Sequence, residues 1–200
     1  SSDLIVNWLG ICLRENMGES ITATRANIAI TMPAMSETGW MRRLAGRFIV
    51  FDGPDGSGKS TQLARLRHLL EESGLDVCEV REPGGTATGE RIRQILLDPD
   101  LEEMDVHCEM MLYMASRAQL VAERIKPALE EGQVVLADRF ISSTLAYQGT
   151  AGGMSLDDIR HVGQVAIGDH WPDLVVVFDV DEQTAAHRLN PLLDRMEQKG

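Results

Sequence analysis

Gly53-Pro54-Asp55-Gly56-Ser57-Gly58-Lys59-Ser60 is a G-x-x-x-x-G-K-[ST] run, with Thr61 directly after it. Residues of these types at this spacing can bind phosphates. Gly53, Gly56 and Gly58 let the backbone curl, so that successive N–H groups can point inward at a polyphosphate. Lys59 can then reach the β- and γ-phosphates, and the Ser60 hydroxyl can ligate Mg²⁺. The run implies a bound nucleoside triphosphate but not a reaction, because GTPases, motor ATPases and kinases all use such loops.

Four more polar clusters carry candidate chemistry. Arg81-Glu82-Pro83-Gly84-Gly85-Thr86 is a rigid turn that brings charge near backbone N–H groups, or a surface turn with a solvated ion pair. Asp138-Arg139 offers an acid that can hold Mg²⁺, directly or through water, and a guanidinium that can fork onto a second phosphate. A structural salt bridge is the plainer reading of that pair. Tyr113 and Arg117 stand one helical turn apart and could stack a flat base and donate to its exocyclic oxygen. They could equally be a core tyrosine and a snorkelling arginine. Ser142 to Gly149 packs hydroxyls, a phenol and a carboxamide that suit a base edge and a sugar, or helix capping and a turn.

The elements that must position these groups alternate. Phe48–Phe51, Val77–Val80, Val134–Ala137 and Leu174–Phe178 read as apolar strands. Lys59–Ser73, Glu90–Leu97, Val106–Ile125 and Ser155–Ile167 read as helices, with further short ones at Pro127 and after Asp181. Apolar strands alternating with helices predict an α/β fold, a parallel sheet covered on both faces. Ligands in such folds sit at the carboxyl ends of the strands, where most of these clusters fall.

Two hundred residues suit one α/β domain, here 46–200. A formal net charge of −12 argues against nucleic-acid and anionic-membrane partners, and no stretch is long enough for a membrane span. Cys12, Cys78 and Cys108 lack metal-ligand spacing and fit reduced thiols in a cytoplasmic protein. Residues 1–45 read as a disordered extension with at most one weak helix. Within them Leu4–Leu13 is too short and too broken for a signal peptide or anchor. Met32, Met35 and Met41 are candidate natural starts.

The segments FIVFDGPDGSGKSTQ, REPGGT, MLYMASRAQL and DRFISSTLAYQG, in this order, resemble the bacterial thymidylate kinases. PDLVVVFDVD followed by DRMEQ is similar to the later part of the same family, so the resemblance spans about residues 47–198. It implies a three-layer P-loop nucleoside monophosphate kinase fold and a homodimer, with the methionines Met110, Met111 and Met114 available either to the interface or to the core. It also implies transfer of the γ-phosphoryl group of ATP to dTMP, giving dTDP for dTTP synthesis, with Mg²⁺.

By that resemblance Gly53, Pro54, Asp55, Gly56, Ser57, Gly58, Lys59, Ser60 and Thr61 bind the ATP phosphates, and Lys59 neutralises the transferred group. Asp55 lies near the substrate sugar and the transfer site. Arg81 and Arg139 hold the dTMP phosphate, Arg117 donates to the thymine carbonyl, and Tyr113 replaces the family's stacking Phe. Thr144 and Gln148 read the base edge, Tyr147 sits against C2′ of the sugar, and Ser60 and Asp138 serve Mg²⁺.

Two departures stand out. Gly56 occupies a position where one branch of the family has Arg, which moves the search for a catalytic arginine to a lid at 187–198, with Arg188 and Arg195. The family's last strand and terminal helix are also expected after residue 200. The competing readings are another nucleoside monophosphate or deoxynucleoside kinase, and a nucleotide-binding module without turnover. The STLAYQG block and Arg117 argue against other kinases. A GTPase is disfavoured because no Asn-Lys-x-Asp motif occurs.

Overall fold

A computed structural model describes residues 10–13 and 39–180 of the chain. Four strands are parallel: β2 (Phe48–Asp52), β3 (Val77–Arg81), β4 (Val134–Asp138) and β5 (Leu174–Val177). All of β2 and most of β4 are buried, as continuous apolar runs between two helical layers must be. A fifth strand, β1 (Gly10–Leu13), completes the sheet order β1-β5-β2-β4-β3. The register sets Phe51 and Arg81 opposite Asp138, and Asp52 opposite Val177. The polar strand ends therefore reach one level at the carboxyl edge of the sheet.

Helices α1 (Lys59–Glu72), α2 (Ala87–Leu97), α3 (Val106–Leu120), α4 (Lys126–Glu130), α5 (Ile141–Thr144) and α6 (Leu156–Ile167) cover it. Leu63 and Leu70 of α1 pack with Ile49, Phe51, Leu136 and Val176 on one face. On the other face Met110, Met114 and Leu120 of α3 and Ile159 of α6 meet Phe48, Val50 and Val135. Each such apolar side chain contributes about 1.5–3 kcal/mol by leaving water. Met110 and Met114 are thus core residues, while Met111 is exposed.

Several expectations change in detail. Two elements fall within residues 1–45, read from the sequence as a mostly disordered extension. Gly10–Leu13 pairs antiparallel with β5, satisfying backbone groups along that edge. Met41–Leu44 forms a 3₁₀ turn that buries Met41 in the α1-side core. Helix α2 begins earlier than Glu90, because Thr86 Oγ1 caps it by accepting from Gly89 N–H at 2.9 Å. The long helix from Val106 ends its α-helical part at Leu120 and passes through a π-helical turn, Val121–Ile125, into α4. A second π-helical turn, Leu145–Ala151, extends α5. The helix expected after Asp181 and the lid at 187–198 lie outside the described residues.

Candidate active site

The phosphate-binding loop leaves β2 at Gly53, whose φ of 136° is open only to glycine. A Cβ there would stand 2.4 Å from the Phe178 carbonyl oxygen, so the segment just after β5 also excludes a side chain. Lys59 opens α1 and turns back over the loop. Its Nζ donates to the carbonyls of Gly53 and Pro54, both at 2.9 Å, and lies 3.4 Å from Asp55 Oδ1. Burial, then the charge of Arg139, lowers the Lys59 pKa, against the pull of Asp55 and Asp138. Ser57 Oγ is the one buried side-chain oxygen or nitrogen without a partner among the described residues.

Beside the loop, Arg139 has a φ of 66°, a left-handed backbone that costs a non-glycine residue about 1–3 kcal/mol. Its N–H is held at 2.9 Å by the Phe51 carbonyl of β2. The guanidinium donates to Asp55 Oδ1 at 2.8 Å and to Ser143 Oγ at 3.2 Å, and lies 5.8 Å from the Tyr147 ring centroid. Burial opposes the Arg139 charge, but Asp55, Tyr147 and Asp52 outweigh it and hold its pKa above the usual value. Burial likewise pushes the Asp55 carboxyl up, yet Arg139 and Lys59 together bring it below its ordinary 3.8. Asp52, at the tip of β2, anchors this corner. It accepts from Gly53 N–H at 2.8 Å, from Ser143 Oγ at 2.7 Å and from Ser142 Oγ.

Across the cleft the wall is dry. Arg117 is 1 % exposed and forks onto Glu82, with Nε 2.9 Å and Nη2 2.6 Å from Oε2. Nη2 also donates to Thr144 Oγ1 at 3.1 Å, Nη1 lies 3.2 Å from the Met114 sulfur, and the guanidinium carbon is 5.1 Å from the Phe140 ring centroid. Burial pushes the Glu82 carboxyl up, and Arg117 works against that rise. Gln148, carried by the π-helical turn, donates from Nε2 to Glu109 Oε1 at 2.8 Å, and both residues are buried.

These groups meet in one cleft of about 250 Å³. The loop and α1 contribute Asp55, Lys59 and Ser60, and the ends of β3 and β4 contribute Arg81, Asp138 and Arg139. Tyr113 and Arg117 enter from α3, and Thr144, Tyr147 and Gln148 from α5 and the turn after it. Arg81 is brought to the cleft but faces Glu90, with both contacts at 3.0 Å. Glu90 is kept there by Gly85 N–H, the leading cause of its lowered pKa. Arg188 and Arg195 lie outside the described residues.

Three contributors go unmarked in the sequence reading, Asp52, Arg93 and Glu109, and a fourth, Glu82, is marked only as part of the turn after Arg81. Arg93 lines the cleft and donates to the Pro83 carbonyl at 3.0 Å. Glu109, Tyr113 and Arg117 follow each other at four-residue intervals on one face of α3, and that period could have revealed Glu109. Glu82 was legible only as a neighbour of Arg81, and nothing local points from it to a residue thirty-five positions away. For a metal, Ser60 Oγ donates to Asp138 Oδ2 at 3.1 Å, a hydroxyl and a carboxylate at the mouth of the phosphate loop. No cluster of three or more ligating side chains occurs among the described residues. Two hard oxygen donors fit Mg²⁺, which keeps waters and takes phosphate oxygens rather than an all-protein cage.

A family model described as "Thymidylate kinase" matches residues 51–198. The thymidylate kinase of Exiguobacterium sp. strain AT1b is 48% identical over 158 residues, covering 78% of this chain and 74% of the relative. That of Halothermothrix orenii is 50% identical over 145 residues, covering 72% and 70%. Among solved structures, the thymidylate kinase of Ehrlichia chaffeensis aligns with a TM-score of 0.63 at 34% identity, over 78% of this chain and 80% of that one.

Proposed function

The chain belongs to the thymidylate kinase family, and from that premise we propose that its cleft holds ATP and dTMP end to end, with Arg139 between them. The protein is an enzyme, a kinase that uses ATP to convert dTMP to dTDP. What carries the proposed arrangement is the meeting of Lys59, Arg139 and the Arg117–Gln148 wall in one cavity. The loop N–H groups and Lys59 bind the triphosphate, so Lys59 must trade its Gly53 and Pro54 carbonyls for phosphate oxygens. Arg139 receives the dTMP phosphate and keeps it in line with the γ-phosphoryl group. The acceptor is a phosphate oxygen already ionised at neutral pH, so no strong base is needed. The chain's task is to offset the repulsion of two anions. Ser60 and Asp138 would hold Mg²⁺, which adds charge neutralisation at the phosphates when bound.

At the other end Tyr113 stacks on the thymine, Arg117 donates to its carbonyl, and Thr144 and Gln148 address its edge. Tyr147 lies against C2′ of the sugar. Arg81 joins the phosphate after release from Glu90, and Arg188 or Arg195 supplies the lid cation. The family's homodimer would use α3, where Met111 remains exposed. No described helix is long and apolar enough to cross a membrane, and a cytoplasmic site of action fits nucleotide synthesis. The test is ADP release with dTMP, dUMP, dGMP, AMP and thymidine as acceptors. The expected result is turnover with dTMP well above the others. Equal turnover with AMP or dGMP would overturn the base-side assignment.

A further inference from the structure

We propose that Glu109 is a positioning residue for base selection: its carboxylate holds the Gln148 carboxamide so that Oε1, and not Nε2, faces the base. This rests on the reading of the cleft as the dTMP site. Glu109 is 2 % exposed and Gln148 1 % exposed, and their contact is 2.8 Å. Glu109 lies in the first turn of α3. An ionised carboxylate only accepts, so it selects the NH₂ side of the amide. The Gln148 carbonyl oxygen is then left for the cleft, which Gln148 lines.

Arg117 borders the same cleft and can only donate. A donor beside an acceptor is complementary to a ring that shows a carbonyl next to an N–H, as thymine does at O4 and N3. Cytosine presents an amino group and an unprotonated nitrogen at those positions, which mismatches both. Were the amide free to rotate, its NH₂ group could meet the cytosine nitrogen, and one of the two mismatches would vanish. Glu109 removes that option.

The test measures equilibrium binding of dTMP, dCMP and ATP to the protein and three variants. Gln148→Leu should weaken dTMP about tenfold, the size of one hydrogen bond, and leave ATP unchanged. Glu109→Gln frees the amide, so the preference for dTMP over dCMP should shrink about tenfold, while Glu109→Asp, still acceptor-only, keeps it. The double variant Glu109→Gln/Gln148→Leu should be no weaker for dTMP than Gln148→Leu. If Gln148→Leu leaves dTMP binding intact, the base-side reading itself fails, and the proposal fails with it. If Gln148→Leu weakens dTMP but Glu109→Gln preserves the preference, only the role of Glu109 is overturned. Equal losses of dTMP and dCMP in both Glu109 variants would show a merely structural residue and also overturn it.

Discussion

The two walls of the cleft solve opposite problems. On the base side, Glu82, Arg117, Thr144, Glu109 and Gln148 are buried and paired with one another. On the phosphate side, the loop is half-exposed and its cations are bound to the loop's own groups: Lys59 to two carbonyls, Arg139 to Asp55. A base is recognised by shape and donor pattern, which burial keeps rigid. A polyphosphate is recognised by charge, and cations resting on local acceptors can be transferred to it. On the proposed reading, specificity sits in a paired wall and phosphate handling in cations that rest on the loop's own acceptors.

The largest expected effect is on the phosphate side. Arg139→Ala should lower turnover by about two orders of magnitude or more, with the far-UV spectrum unchanged, because the in-line geometry loses the guanidinium that sits against the loop at Asp55. Wild-type ADP release from the folded variant would break the contrast. The base wall should respond instead in stability. Glu82→Ala leaves Arg117 buried without its carboxylate, so urea unfolding should show a loss of about 3–5 kcal/mol. A loss below about 1 kcal/mol would mean that the pair is not the rigid element inferred here.

A smaller effect concerns pH. The folded-state pKa of Asp55 lies below its ordinary 3.8, so its ion pair contributes stability above that value and loses it as pH falls through the folded pKa. Asp55→Asn should therefore flatten the fall of unfolding free energy below about pH 4. An unchanged slope would place the charge coupling elsewhere. Smallest of all, Tyr113→Phe should change dTMP affinity by less than about threefold, since a ring face stacks with or without its hydroxyl. A large loss would reveal a contact made by the hydroxyl.

Much of this was legible before any coordinates. The glycine spacing from Gly53 to Lys59 and the apolar runs of β2, β4 and β5 are local patterns with one physical reading each. Met110 and Met114 left core and interface equally open, because their apolar character suits either, and packing settled them as core. Residues 10–13 defeated local reasoning for a different reason. A short apolar segment takes its conformation from whichever edge it pairs with, and that edge is β5.

The amino-acid sequence by itself determined the phosphate loop, the alternation of strands and helices from β2 onward and the family, because each is carried by neighbours in the chain. Only the tertiary structure decided which partner each charge takes. Arg81 goes to Glu90 and not to Glu82, Glu82 crosses to Arg117, and Glu109 fixes Gln148. The Glu82–Arg117 and Glu109–Gln148 pairings depend on distances between elements far apart in sequence, and burial strengthens both.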